Sequence, residues 1–277
     1  MLFRSGANRA DRDAWINEVN FPVRKIEGEI PEDVEYLFWV GCAGAFEERA
    51  KKTTKAVAEL LHMAGVSFGV LGKRENCTGD PARRAGNEFL YQILSRENIE
   101  TLKETFGRRG EKKVVVTCPH CFTTIGRDYK DQGFELTMIH HSQLLNQLVK
   151  DGKLKVSPHK QGAKITFHDP CYLGRHNQIY QPPRELLEAT GADLTEMPRN
   201  QERSFCCGAG GGRMWQEEKL GTRINLNRVD EALATGADQI AVGCPFCRIM
   251  ISDGVAGRGS EKEVLDLAQV LLTNIKP

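Results

Sequence analysis

The sequence predicts an α/β protein made of two tandem, pseudo-repeated, cysteine-rich α/β units with mostly parallel sheets. Three observations carry this. Cys42 to Cys77 and Cys171 to Cys206 are both 35 positions apart, and each half closes on a Cys-Pro-X-Cys pair, Cys118 with Cys121 and Cys244 with Cys247. The halves are offset by 129 for the first two cysteines and by 126 for the closing pair, and the same offsets relate Gly79 to Gly208, Arg84 to Arg213 and Gln143-Leu144-Leu145 to Gln269-Val270-Leu271. Such self-similarity marks one structural unit present twice. Finally, apolar runs alternate with helical periodicities, the pattern of strands joined by crossover helices in a parallel sheet.

In the first copy, residues 36–40 are a continuous apolar run ending in Gly41-Cys42, as in a strand buried on both faces. Residues 53–64 place Ala56, Val57, Leu60, Leu61 and Ala64 at helical spacing and stop at Gly65. Residues 66–71 read as a second strand with Cys77 in the loop beyond it. Residues 87–105 read as a helix with Phe89, Leu90, Ile93 and Leu94 on one face. Residues 113–117 form a β-branched strand leading into Cys118, and 135–139 and 142–150 add a strand and a helix. Residues 164–167, 183–190, 192–197, 216–235, 239–242 and 264–275 repeat the order. The expected organisation is an extended lead-in over 1–31, a first cysteine-rich domain over 32–150, a polar linker over 151–163 and a second cysteine-rich domain over 164–277. Ligands of open parallel sheets gather beyond the carboxyl ends of strands, and Cys42, Cys118, Cys171 and Cys244 all follow strand ends.

Composition narrows the function. With 38 Lys+Arg against 37 Asp+Glu the net charge is +1, which gives no support to nucleic-acid binding or a polybasic membrane surface. Residues 36–40 are too short to cross a bilayer, and the first residues lack the apolar core of an export signal. A soluble, intracellular, cytoplasmic protein is expected. In a reducing compartment, nine cysteines in two sets point to metal or redox chemistry rather than disulfides.

Four thiolates from one unit suit zinc or a [4Fe–4S] cluster. Structural zinc sites use two closely spaced pairs, whereas here two ligands are single and widely separated, which favours iron–sulfur in the first copy over zinc or unmetallated thiols. In the second, Cys206-Cys207 precede Gly208-Ala209-Gly210-Gly211-Gly212. Adjacent thiolates can grip a larger or distorted cluster, and glycines such as Gly208 and Gly210 let backbone N–H groups approach its sulfides. A nucleotide loop is discounted because no Lys-Ser/Thr follows the glycines.

Cys171, Cys206-Cys207-Gly208 and Cys244-Pro245-Phe246-Cys247 resemble the cysteine-rich CCG domain. That domain occurs, usually in duplicate, in catalytic subunits of heterodisulfide reductases and in related iron–sulfur oxidoreductases of glycolate, lactate and glycerol-3-phosphate oxidation. The resemblance covers about residues 36–275. It implies two [4Fe–4S]-type clusters: a non-cubane one on Cys171, Cys206, Cys207, Cys244 and Cys247, where an acceptor is reduced, and a cubane for relay on Cys42, Cys77, Cys118 and Cys121, because Thr78 stands where the second adjacent cysteine would be. Gly41-Cys42-Ala43-Gly44, the run 77–84 and His168-Asp169-Pro170-Cys171 are most similar to membrane-associated bacterial reductases that take electrons from an electron-transfer flavoprotein and pass them to quinone. The implied partners are an electron-transfer flavoprotein or a flavin-containing dehydrogenase subunit as donor, and a quinone or a disulfide as acceptor. A membrane-anchoring segment or subunit outside this chain would hold it at the inner face of the cytoplasmic membrane.

Beside the clusters, His168 is a candidate proton mover or donor to a cluster sulfur, with Cys206 and Cys207 as the catalytic pair. Arg84 and Arg213 share a repeat position from which each can offset cluster charge. His120, between two ligands, is expected to shield rather than ligate. The alternatives are a non-catalytic relay in a hydroxy-acid dehydrogenase complex and, less favoured, a structural zinc or thiol–disulfide protein.

Overall fold

The computed structural model describes residues 9–157, 163–216 and 218–275; residues 1–8 of the lead-in and 158–162 of the expected linker lie outside the described residues. By contacts the chain divides into a unit ending at His141 and a unit beginning at Ser142.

The first unit runs β1 (Arg24–Lys25), β2 (Tyr36–Trp39), α1 (Gly41–Phe46), α2 (Glu48–Met63), β3 (Phe68–Val70), α3 (Asp80–Arg84), α4 (Glu88–Phe106), β4 (Lys113–Val116), α5 (Pro119–Thr123) and β5 (Thr137–His140). Its sheet has the order β1-β3-β2-β4-β5, with every pair parallel. Next come α6 (His141–Lys150), β6 (Lys164–His168), α7 (Gln181–Ala189), β7 (Asp193–Leu194), α8 (Ile224–Ala234), β8 (Gln239–Val242), α9 (Pro245–Gly257), β9 (Glu263–Asp266) and α10 (Leu267–Leu272). The second sheet is β7-β6-β8-β9, again all parallel. Strands β6 to β9 therefore repeat β2 to β5, and the register repeats too: Trp39 pairs with Val116 as His168 pairs with Val242.

This order sets the site. From β2 the chain winds outward to β3, then returns to place β4 on the other side of β2. The switch point thus lies between β2 and β4, and in the second unit between β6 and β8, where ligands of doubly wound sheets bind. Cys42 and Cys118 follow the two switch strands of the first sheet; Cys171 and Cys244 follow those of the second. The strands are held rigidly because Leu37, Phe38, Val114, Val115, Ile165, Phe167 and Ala241 are fully buried, as expected of sheets covered on both faces.

Several local expectations change. The lead-in supplies the outer strand β1 and buries Trp15, Ile26 and Ile30 in the first unit. Residues 142–150 go with the second unit, where Asn146 and Lys150 of α6 bond Glu185 of α7, the lysine at 2.7 Å. In α4, Phe89 and Ile93 are exposed, and the buried face is Tyr91, Leu94, Ser95, Asn98, Ile99 and Leu102. Polar residues on that face concealed it, and Asn98 is there to hold a cysteine loop, as described below. The helix expected over 216–235 begins only at Ile224. Gln216 is extended, Gly221 has φ +65°, and the Glu218 carboxylate accepts from the Ile224 N–H at 3.0 Å, opening the helix there. Among the described residues no helix is long and apolar enough to cross a membrane.

Candidate metal centres

The closing pairs are placed by helix starts. Cys118 and Cys244 are the N-cap residues of α5 and α9, each followed by proline at the first helical position, where its missing N–H costs nothing. Cys121 and Cys247 then fall in the first turn, beside the cap residue. The Cys-Pro-X-Cys spacing is thus a strand end, a cap and one helical turn.

In the first unit all four cysteines converge. The Cys77 thiol donates to the Cys42 sulfur, Cys118 and Cys121 share a thiol hydrogen bond, and Cys42 lies within electrostatic reach of Cys118 and Cys121. Gly41, at φ +76°, carries the chain past them; a Cβ there would sit 3.5 Å from the Cys121 sulfur. The Cys77 loop is fixed from behind. Asn98 donates to the Cys77 carbonyl at 2.7 Å, Tyr129 Oη donates to the Thr78 carbonyl at 3.0 Å, and the Gly79 N–H turns onto the Cys77 sulfur. The Cys77 hydrogen bond and the Arg12 guanidinium outweigh burial and bring the Cys42 thiol down to about 6, while donating to their neighbours pushes Cys77 and Cys121 up.

In the second unit five sulfurs form a continuous chain of contacts: Cys171 to Cys206, Cys206 to Cys207, Cys207 to Cys247 and Cys247 to Cys244. Hydrogen bonds from Cys171 and Cys207, with the Gly208 N–H at 3.2 Å, pull the Cys206 thiol down to about 2, and the donation drives Cys207 up to about 12. All nine cysteines are free thiols.

Gly208 matches Gly79 in conformation as in sequence, at φ +90° and +86°. A Cβ on Gly208 would stand 3.1 Å from Ile224 and 3.3 Å from the Asn225 nitrogen. Gly210 has no such constraint: no atom lies within 4 Å of an added Cβ and its φ is outside the left-handed region. Gly208→Ala should therefore cost about 1–3 kcal/mol and disturb the Cys206 bond, whereas Gly210→Ala should stay within about 0.5 kcal/mol. Denaturant unfolding of the two variants, with iron content beside it, checks this; equal losses would remove the special position of Gly208.

His168, the last residue of β6, is fully buried. Its Nδ1 accepts from Arg228 Nε at 3.0 Å, which leaves the ring proton on Nε2. Burial and the Arg228 charge pull the imidazole down to about 3, so the ring is neutral. One ring nitrogen of His168 and the sulfurs of Cys207 and Cys247 all lie within 4.8 Å of one another, and Nε2 has no partner among the described residues. Trp39 holds the same register in the first unit, and its indole Nε1 is likewise buried without a partner among the described residues.

Arg84 pairs with Asp80 at 3.1 Å and Asp128 at 2.9 Å, and the exposed Arg213 pairs with Glu218 at 2.9 Å. His120 bonds Asp80 through Nδ1 at 2.9 Å. The arginine found on a cysteine sulfur is Arg12, whose Nη2 lies 3.2 Å from Cys42 Sγ while Nη1 pairs with the buried Glu75. Glu75 also accepts from the Val40 and Gly41 N–H groups at 2.9 and 2.8 Å. Burial pushes its carboxyl up to about 7 against the pull of Arg12 and the two backbone N–H groups. Sequence reasoning missed Arg12, Glu75, Trp39 and Arg228. Arg12 lies in an aperiodic segment, and the other three carry no cysteine-like spacing; only the position of Trp39, equivalent to His168, could have been found from the repeat.

The donor sets fit iron–sulfur groups. Five sulfurs in continuous contact exceed the four that zinc takes, thiolate sulfur is the ligand such clusters use, and the unpartnered His168 N–H is a buried donor beside those sulfurs. Comparison with known proteins agrees. The cysteine-rich domain family, CCG, matches residues 36–126 and again 165–252. The chain is 43% identical over 276 residues to the "Probable iron-sulfur-binding oxidoreductase FadF" of Bacillus subtilis, covering 98% of this chain and 38% of that protein. It is 43% identical over 278 residues to the "EtfAB:quinone oxidoreductase" of Syntrophomonas wolfei, with 96% and 38% covered. To a subunit of the dihydromethanophenazine:CoB–CoM heterodisulfide reductase of Methanosarcina barkeri it is 32% identical over 273 residues, with 95% and 63% covered. The chain thus spans between about four-tenths and two-thirds of the length of these relatives. Two matched domains, which follow the repeated cysteine sets, place the chain in the CCG family of cysteine-rich domains.

Proposed function

We propose that the chain is the iron–sulfur part of an oxidoreductase that takes electrons from a flavoprotein donor and delivers them to a quinone or disulfide acceptor. The observation that carries this reading is the inequality of two otherwise equivalent sites, with four sulfurs beyond the first sheet's switch strands and five beyond the second's. Cys42, Cys77, Cys118 and Cys121 would hold a [4Fe–4S] cubane; Cys171, Cys206, Cys207, Cys244 and Cys247 would hold a non-cubane [4Fe–4S] group. Bound there, such groups supply one-electron storage and transfer.

The protein's own contribution is position and hydrogen bonding. The Gly79 and Gly208 N–H groups donate to sulfur at equivalent places. His168 serves as a fixed Nε2–H donor rather than a proton mover, because Arg228 occupies Nδ1 and keeps the ring neutral. The names of the relatives support both acceptor classes, and that of the Syntrophomonas protein supports an electron-transfer flavoprotein as donor. Anchoring at the inner face of the cytoplasmic membrane would come from a further segment or subunit.

The test mixes anaerobically reconstituted protein with a fully reduced electron-transfer flavoprotein and follows both EPR signals. Reduction of both, then reoxidation by a short-chain quinone or a disulfide, is expected. Signals that no reduced flavoprotein can develop would overturn the donor, and signals that neither acceptor discharges would overturn the acceptor class.

A further inference from the structure

We propose that Arg12 raises the reduction potential of the first-unit cluster by donating from its guanidinium to the Cys42 sulfur. The inference rests on the reading of Cys42, Cys77, Cys118 and Cys121 as cluster ligands.

The contact is built rather than incidental. Arg12 is 6% exposed, its Nη2 lies 3.2 Å from Cys42 Sγ, and its Nη1 is pinned by Glu75, which is 1% exposed. Glu75 is itself tied to the Val40 and Gly41 N–H groups, directly before Cys42. The guanidinium carbon lies over the Phe46 ring, 5.4 Å from its centroid. A cation fixed on three sides cannot swing away from the sulfur.

The repeat provides the internal comparison. The position equivalent to Glu75 is Ser204, and Arg12 comes from the segment ahead of the repeat. The Gly208 N–H on the Cys206 sulfur repeats the Gly79 N–H on Cys77, whereas the buried cation Arg228 of the second unit bonds the His168 ring. Adding an electron to a thiolate-ligated cluster makes its sulfurs more negative. A charge-assisted donor in a buried site therefore stabilises the reduced form more than the oxidised form, and the potential rises.

The test is an EPR-monitored redox titration of the anaerobically reconstituted full chain and its Arg12→Gln, Arg12→Lys and Glu75→Gln variants. The first-unit signal is identified as the one lost in Cys118→Ala. In Arg12→Gln that signal should become about tenfold harder to reduce, equivalent to about 59 mV for one electron, with the second-unit signal unmoved. Arg12→Lys, which keeps the charge without the fork, should fall between wild type and Arg12→Gln. Glu75→Gln, which removes the carboxylate charge and keeps one of the two oxygens that accept from the Val40 and Gly41 N–H groups, should not lower the potential. An unmoved first-unit potential in Arg12→Gln at full iron content overturns the proposal, as does a fall in Glu75→Gln equal to that in Arg12→Gln, which would mark a structural role. Should Arg12→Gln fail to take up iron, Arg12→Lys decides, and a wild-type potential there overturns the proposal. Absence of iron from the first-unit cysteines in the wild type overturns the cluster reading itself, whereas an unmoved potential sinks the role of Arg12 alone.

Discussion

Cys207→Ala is expected to abolish acceptor reduction while the first-unit signal remains reducible. Cys207 is buried in the middle of the second unit's chain of sulfurs, between Cys206 and Cys247, and its first-unit counterpart is Thr78. Its removal leaves four sulfurs, the complement that completes a cubane and suits outer-sphere transfer. The distinctive fifth thiolate, and with it the chemistry at the acceptor, is then gone. Thr78→Ala should change little. The contact that fixes this residue is made by its carbonyl, which accepts from Tyr129 Oη at 3.0 Å, and the substitution leaves it in place. A lost hydroxyl hydrogen bond is worth about 0.5–1.5 kcal/mol at most. Donor-to-acceptor turnover, measured beside reductive titration of each EPR signal, separates the two variants. Full turnover in Cys207→Ala with loss in Thr78→Ala would mean that the roles of the two units are reversed.

The asymmetry behind that expectation is largely legible in the sequence. Cysteine spacing records the duplication, the alternation of apolar runs with helical periodicities records the parallel sheets, and the places of Cys42, Cys118, Cys171 and Cys244 after strand ends record their convergence. Glycines at matched offsets are legible for the same reason: Gly79 and Gly208 are required by a left-handed turn that delivers an N–H to sulfur. The surroundings of the sulfurs are less accessible. Arg12 reaches Cys42 across 30 positions from a segment with no periodicity, and its meaning depends on Glu75, which looks like any loop carboxylate in sequence. Arg84 and Arg213 draw attention by repeat position, yet position along the chain does not report which carboxylate a guanidinium meets; Asp128 lies 44 positions from Arg84. The face of α4 is misread because Ser95 and Asn98, polar in sequence, are buried to satisfy other buried polar groups. Patterning reports burial of apolar surface, and a site built from buried polar contacts departs from it.

Anaerobic reconstitution of the chain is expected to load about eight iron and eight acid-labile sulfide atoms, and Cys118→Ala to lose about half of both. The expected halving rests on geometry. Cys118 follows β4, a switch strand of the first sheet, and caps α5, so its position is set by both elements, and it shares a hydrogen bond with Cys121. Alanine there removes one of four ligands, and three thiolates on separate loops do not complete the site. The second unit has its own sheet, its own five sulfurs and its own strand-end donor in His168, so its complement should survive the change. Ligands drawn from separated loops couple metal binding to folding. The variant should accordingly melt earlier in a transition assigned to the first unit, with the second-unit EPR signal retained. Iron, sulfide and zinc analysis with EPR and calorimetry reads all of this at once. Protein that holds zinc and no acid-labile sulfide would sink the assignment of both sites, and equal loss of both EPR signals in Cys118→Ala, with the second unit still folded, would show that the two sites load as one.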